Sequence, residues 1–157
     1  MKYFYTCNEA KKLLNPEVKL ALRLIRQAQS LSSSERIKLA AEKLKQTSFE
    51  DANKDGLSGN AALFVSKALN TIIKLNGVTE IFNHQEQPIY AIPTVYVNSG
   101  PDIVRIQPLA DVSKKTSSLA FKMLEKAAKH DLFKFVGCDF KKENVGLWDG
   151  RFVVIDW

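Results

Sequence analysis

The chain has 157 residues, of which 45% are hydrophobic and 25% charged. These proportions exclude collagen-like, mucin-like and wholly disordered classes and leave one domain's worth of globular sequence, long enough to bury a core without a disulfide or metal staple. Lys plus Arg number 23 against 17 Asp plus Glu, a net charge of +6 that suits nucleic acid, nucleotide phosphates or an acidic protein and selects none of them.

The first 48 residues read as helical. Asn15-Pro16 sets a cap residue before a proline at the first helical position. Val18, Ala21, Leu22, Ile25 and Ala28 then recur at helical spacing. Ser32-Ser33-Ser34-Glu35 is a capping box, and Ile37, Ala40, Ala41 and Leu44 continue as a second apolar stripe. The expected result is a helical hairpin. Thr47 to Gly59 is polar and glycine-bearing and reads as a loop.

Short β-like runs follow: 62–65, 71–75, 94–97 and 103–106, with turn residues at Asn76-Gly77 and Asn98-Ser99-Gly100-Pro101. Thr79 to His84 reads as a short helix. A longer helix from Ser117 to His130 carries Ala120, Met123, Leu124 and Ala127 on one face. Val145 to Trp148 and Phe152 to Ile155 close the chain as two strands, joined by the hairpin dipeptide Asp149-Gly150.

Cys7 and Cys138 are the only cysteines, and with His84 and His130 they form no metal-ligand spacing. The first residues are too short and polar for a signal-peptide core, and no apolar run nears the roughly 20 residues that span a bilayer. The expectation is a cytoplasmic protein with no membrane contact. Cys138 reads as a small buried residue, His130 as a helix-end cation, and Trp148 and Trp157 as core or interface anchors. Lys19, Arg23 and Arg26 share a helix with interleaved acids nearby at Glu17, Glu35 and Glu42, the pattern of a solvated helix. A nucleic-acid partner is the weaker expectation, because no aromatic stacking pattern accompanies the charge.

The segment Gly137-Cys138-Asp139-Phe140-Lys141-Lys142-Glu143-Asn144, followed by a hairpin ending in Ile155-Asp156-Trp157, carries the chemistry. An Asp, a Lys two later, an Asn five later and then strand–turn–strand to a second Asp resembles the catalytic loop of protein-kinase-like phosphotransferases. The resemblance gives Asp139 the role of accepting the incoming hydroxyl's proton. Lys141 would neutralise charge on the transferring γ-phosphate, and Asn144 and Asp156 would ligate Mg²⁺. A hairpin between Asn144 and Asp156 returns two ligands, distant in sequence, to one metal.

The same resemblance extends upstream over residues ~55–157. Asp55 to Val65 looks like a shortened glycine-rich loop and its following strand, with Gly59 allowing close approach of the backbone to phosphate. Thr71-Ile72-Ile73-Lys74-Leu75 resembles the strand that carries the α/β-phosphate lysine, here Lys74. Glu80 would be its ion-pair partner, with Glu86 in reserve. Ile103 to Pro108 takes the place of the hinge strand, so Gln107 and Leu109 would bracket an adenine.

Gly137 and Cys138 stand where the family has His and Arg, and Trp157 where it has the Phe of D-F-G. The chain ends where a kinase continues into its activation segment and helical subdomain, which implies an incomplete or rebuilt kinase. The expected fold class is therefore α+β: an N-terminal helical hairpin over residues 1–48, then a minimal protein-kinase-like core over 55–157. That core is a small antiparallel sheet, one helix and a catalytic-loop hairpin. Two functional classes are open. One is an ATP/Mg²⁺-dependent phosphotransferase acting on a protein or small-molecule hydroxyl. The other is a catalytically degenerate kinase-like chain that binds and regulates a partner protein, in the manner of a phage protein acting on a host factor.

Overall fold

The computed structural model describes residues 2–28, 33–52, 62–75, 91–99, 102–113, 118–131 and 145–155, and among them six antiparallel strands, two α-helices and a short 3-10 helix (Glu9–Leu13) belong to the first of two units. This unit comprises Met1–Asn83 and Pro93–Leu109; the second comprises His84–Ile92 and Ala110–Trp157. The fold is α+β with a mostly antiparallel sheet. The N-terminal helices and the six-stranded sheet share a single core in the first unit.

The strands of the first unit are β1 (Lys2–Tyr5), β2 (Glu50–Asp51), β3 (Ala62–Ser66), β4 (Thr71–Leu75), β5 (Val95–Ser99) and β6 (Asp102–Pro108). Their order across the sheet is β1-β5-β6-β4-β3-β2. Two of them correct the sequence reading. Lys2–Tyr5, expected within a helical region, is a strand, because alternating aromatics place Tyr3 and Tyr5 on one face while Lys2 lies over Phe4 on the other. Glu50–Asp51, expected in a loop, pairs with Val65 and Phe64 at the sheet edge.

The helices α1 (Pro16–Arg26) and α2 (Ser33–Leu44) form where the apolar stripes predict. Asn15 caps α1 by accepting the Val18 N–H at 2.9 Å, and Pro16 occupies a position that has no helical N–H to lose. Val18, Ala21, Leu22 and Ile25 on α1, with Ala40 and Leu44 on α2, are buried in one cluster with Phe64, Ile73, Leu75, Val95, Val97, Val104 and Ile106. The helices thus cover a single face of the sheet. Lys19, Arg23 and Arg26 point outward and are exposed, as a solvated helix requires. After α2 the Ser48 N–H donates to Glu17 Oε1 at 2.7 Å, and this hydrogen bond holds the Glu17 carboxyl below its usual pKa.

In the second unit α3 (Ser118–Asp131) precedes β7 (Val145–Trp148) and β8 (Arg151–Val154). The Asp149-Gly150 turn has positive φ at both residues, 51° and 74°, as a two-residue hairpin of the right twist demands. Asp111 bridges to Leu147 on one side of this hairpin, and Ala91 and Ile92 lie along Val154 on the other. Gly146 is needed here for a different reason: a Cβ on it would stand 2.8 Å from the Ala110 Cβ. On α3, Leu124 packs against the cluster of Ala91, Ile92, Val153 and Val154, but Met123, expected on the same face, is exposed. The half-buried stripe is Ala120, Phe121, Leu124 and Glu125, which rotates Met123 and Leu119 out of it.

Candidate functional site

The two faces of the six-stranded sheet differ in chemistry. Strand alternation sends Phe64, Ile73, Val104, Ile106, Val95 and Val97 to the helix-covered side. Residues directly paired across strands share a face, so one transverse row on the opposite side reads Phe4, Tyr96, Arg105, Lys74, Leu63. The adjacent row on that side runs through Thr94, Gln107, Ile72 and Val65. Strands β4 and β6 hold the centre of both rows.

Lys74 and Arg105 are direct cross-strand partners, at 8% and 5% exposure, between the fully buried Tyr96 and the half-buried Leu63. Direct antiparallel partners have Cβ atoms about 4.5–5.5 Å apart, so two cationic side chains leave the sheet side by side. The Arg105 Nε atom is buried and makes no hydrogen bond. One row away, Gln107 is 1% exposed and its Nε2 donates to Thr94 Oγ1 at 3.0 Å. The Thr94 backbone is in turn locked to Thr6, whose N–H and Oγ1 both donate to the Thr94 carbonyl at 3.0 Å. Gln107 therefore holds a fixed amide in a polar row beside the two cations.

Of the residues that the sequence singles out, Lys74, Gln107 and Leu109 are described. Lys74 lies in the third strand, counting from the one that leads into residues 52–61 where Gly56 and Gly59 stand. Gln107 is its diagonal neighbour, since Ile72 pairs with Gln107 and Lys74 with Arg105. At the strand end the Leu109 N–H donates to the Asn70 carbonyl at 2.8 Å, so this amide is committed within the sheet. Asn70 presents that carbonyl from a left-handed conformation, φ 48°, which a short polar side chain tolerates. Gly59, Glu80, Glu86, Asp139, Lys141, Asn144 and Asp156 lie outside the described residues, as do the expected helix from Thr79 and the turn at Asn76-Gly77.

The hairpin expected to join Asn144 to Asp156 is present in its described part. Val145 pairs with Val154, Gly146 with Val153, Leu147 with Phe152 and Trp148 with Arg151. Its closed end is the Asp149-Gly150 turn, where the Arg151 guanidinium lies 5.2 Å from the Trp148 ring centroid. Its open end is the Val145–Val154 pair, to which Asn144 is joined directly and Asp156 through Ile155.

Arg105 was not among the residues that the sequence pattern singles out. Its signal was a cation inside the run Ile103-Val104-Arg105-Ile106, at the position that the strand period assigns to the same face as Gln107. Comparison of the chain with protein families, with curated proteins and with solved structures finds no match. None of the described helices is long and apolar enough to cross a membrane.

Proposed function

We propose that the chain is a minimal protein-kinase-like phosphotransferase that uses ATP and Mg²⁺ to phosphorylate a hydroxyl of a protein or small molecule. The observation that carries this reading is the placement of Lys74: a buried lysine on the third strand counting from the one that leads into the glycine-bearing segment, on the sheet face turned away from the helices. In this reading Lys74 holds the nucleotide's phosphates, Glu80 orients it, and Gly59 lets the backbone approach them. Gln107 and Leu109 border the base, Leu109 through its side chain because its N–H is taken by Asn70.

Asp139 accepts the proton of the attacking hydroxyl as its oxygen bonds to the γ-phosphorus and the bond to the bridging oxygen of ADP breaks. Lys141 offsets charge on the transferring group. Asn144 and Asp156 supply oxygen ligands of the kind Mg²⁺ prefers, and the register of β7 with β8 suits them to a shared ion. When bound, the metal would offset the negative charge of the phosphates. The test is calorimetric titration with ATP, with and without Mg²⁺, on the wild-type chain and on Asp156→Ala, followed by transfer of labelled γ-phosphate. Saturable, metal-dependent binding that Asp156→Ala abolishes is expected. Absence of binding at millimolar ATP overturns the reading.

One observation favours a second reading, a kinase-like chain without catalysis that binds and regulates a partner protein. Leu119 and Met123, one turn apart on α3, are 70% and 66% exposed, an apolar pair turned to solvent. The same titration separates the two: the second reading expects no phosphate transfer.

A further inference from the structure

We propose that the outward face of α3 docks an acidic protein segment that carries an apolar pair one helical turn apart, an inference that rests on the partner-binding part of the second reading. Leu119, Lys122, Met123 and Lys126 follow the i, i+3, i+4, i+7 spacing of a single helix face, and all four are exposed. Ala120, Phe121, Leu124 and Glu125 form the opposite, half-buried side, where Leu124 packs into the core of its own unit. The outer side of such a helix is ordinarily polar, and α1 follows the rule with Lys19, Arg23 and Arg26. On α3 the outer side instead holds Leu119 and Met123, at 70% and 66% exposure. Exposed hydrophobics scattered singly need no explanation, but two in successive turns of one face make a contiguous apolar strip.

Charge selects the occupant. Leu119 and Met123 stand roughly 6 Å apart along the helix axis, and Lys122 and Lys126 repeat that spacing in the neighbouring column. Among the described residues neither lysine is ion-paired, and Glu125, the acid nearest in sequence, belongs to the half-buried side. An apolar column beside a basic one is complementary to a segment with two apolar side chains flanked by carboxylates. The apolar pair supplies area to bury, and Met123 adapts its unbranched chain to the partner's contour. The lysines set the partner's sign and its register. A second copy of the chain is the wrong occupant, because a two-fold contact sets one lysine column against the other. Nucleic acid matches the lysines and leaves Leu119 and Met123 against a charged backbone. Affinity for an anionic bilayer grows with buried apolar area, and α3 commits Phe121 and Leu124 to the side away from this face. The acidic, amphipathic protein segment satisfies both columns.

The test presents the full chain to a displayed library of random peptides and measures the selected peptides by fluorescence anisotropy at low and high salt, with circular dichroism to check the fold. Enriched peptides are expected to be acidic and to carry two apolar residues three or four positions apart. Leu119→Ser with Met123→Ser is expected to weaken them by about tenfold or more. Lys122→Glu with Lys126→Glu is expected to weaken them by about tenfold or more at low salt and less at high salt. Arg23→Met, on the exposed side of α1, is expected to change nothing. Met123→Ser and Lys126→Glu alone keep the comparison decisive if a double variant fails to fold. No enrichment, enrichment without an acidic excess, or affinity indifferent to all four positions overturns the proposal. So does binding through these residues to phosphatidylserine vesicles or single-stranded DNA without peptide binding, or self-association that Met123→Ser abolishes. Phosphate transfer by a chain that binds the acidic peptides removes the non-catalytic reading and leaves the docking face standing. Failure of the docking face in a chain that transfers no phosphate leaves that reading standing, with its partner bound elsewhere.

Discussion

The two faces of the six-stranded sheet are made from the same strands yet obey different rules. On the helix-covered face Phe64, Ile73, Val97, Val104 and Ile106 are all fully buried, and each is replaceable only by a side chain of similar volume. On the opposite face burial is nearly as deep, but the buried groups are Lys74, Arg105, Gln107, Thr94 and Tyr96. Depth of burial by itself does not mark a hydrophobic core.

Substitutions on the two faces should separate stability from binding. The largest effect is expected from Phe64→Ala, which opens a cavity on the apolar face and should cost about 3–5 kcal/mol in urea denaturation. Lys74→Met should shift the urea midpoint less than Phe64→Ala does, while ATP affinity falls about tenfold or more; the reverse pattern would make the cationic face a structural core. Asn15→Ala removes the α1 cap that seats the helical layer on the apolar face. It should cost about 1 kcal/mol and leave nucleotide affinity unchanged.

The smallest effect concerns Glu17, whose carboxyl is held below its ordinary pKa by the Ser48 N–H. A depressed folded-state pKa contributes stability above the unfolded value, and that contribution disappears as pH falls through the folded value. Wild type should therefore exceed Glu17→Gln in urea midpoint near pH 7, with the gap narrowing under acid. A gap that widened as pH fell would contradict the assigned hydrogen bond.

Local signals in the sequence were read well. The run 71–75 is β4 residue for residue, Asn15-Pro16 caps α1 as its chemistry dictates, and Asp149-Gly150 makes the turn that its two positive φ values require. Features that depend on distant partners were not legible. Lys2–Tyr5 is a strand because β5 lies beside it, and Glu50–Asp51 because β3 does. Met123 shares the helical spacing of Leu124, but packing of the second unit selects the stripe through Phe121 and Glu125 instead. Lys74 was legible as a lysine in the strand 71–75. Its neighbour Arg105 was not, because pairing of β4 with β6 skips over β5 and no local pattern encodes that order.

The pairing of β1 with β5 also sets a clock. Thr6 finds its partner Thr94 only after 88 further residues have been made, a wait of roughly 4–18 s at ~5–20 residues per second. Through that interval Tyr3 and Phe4 have no strand to join, while β3 and β4, five residues apart in their closest pair, can meet at once. The β1–β5 pairing is therefore a step of high contact order, whereas the β3–β4 hairpin closes locally.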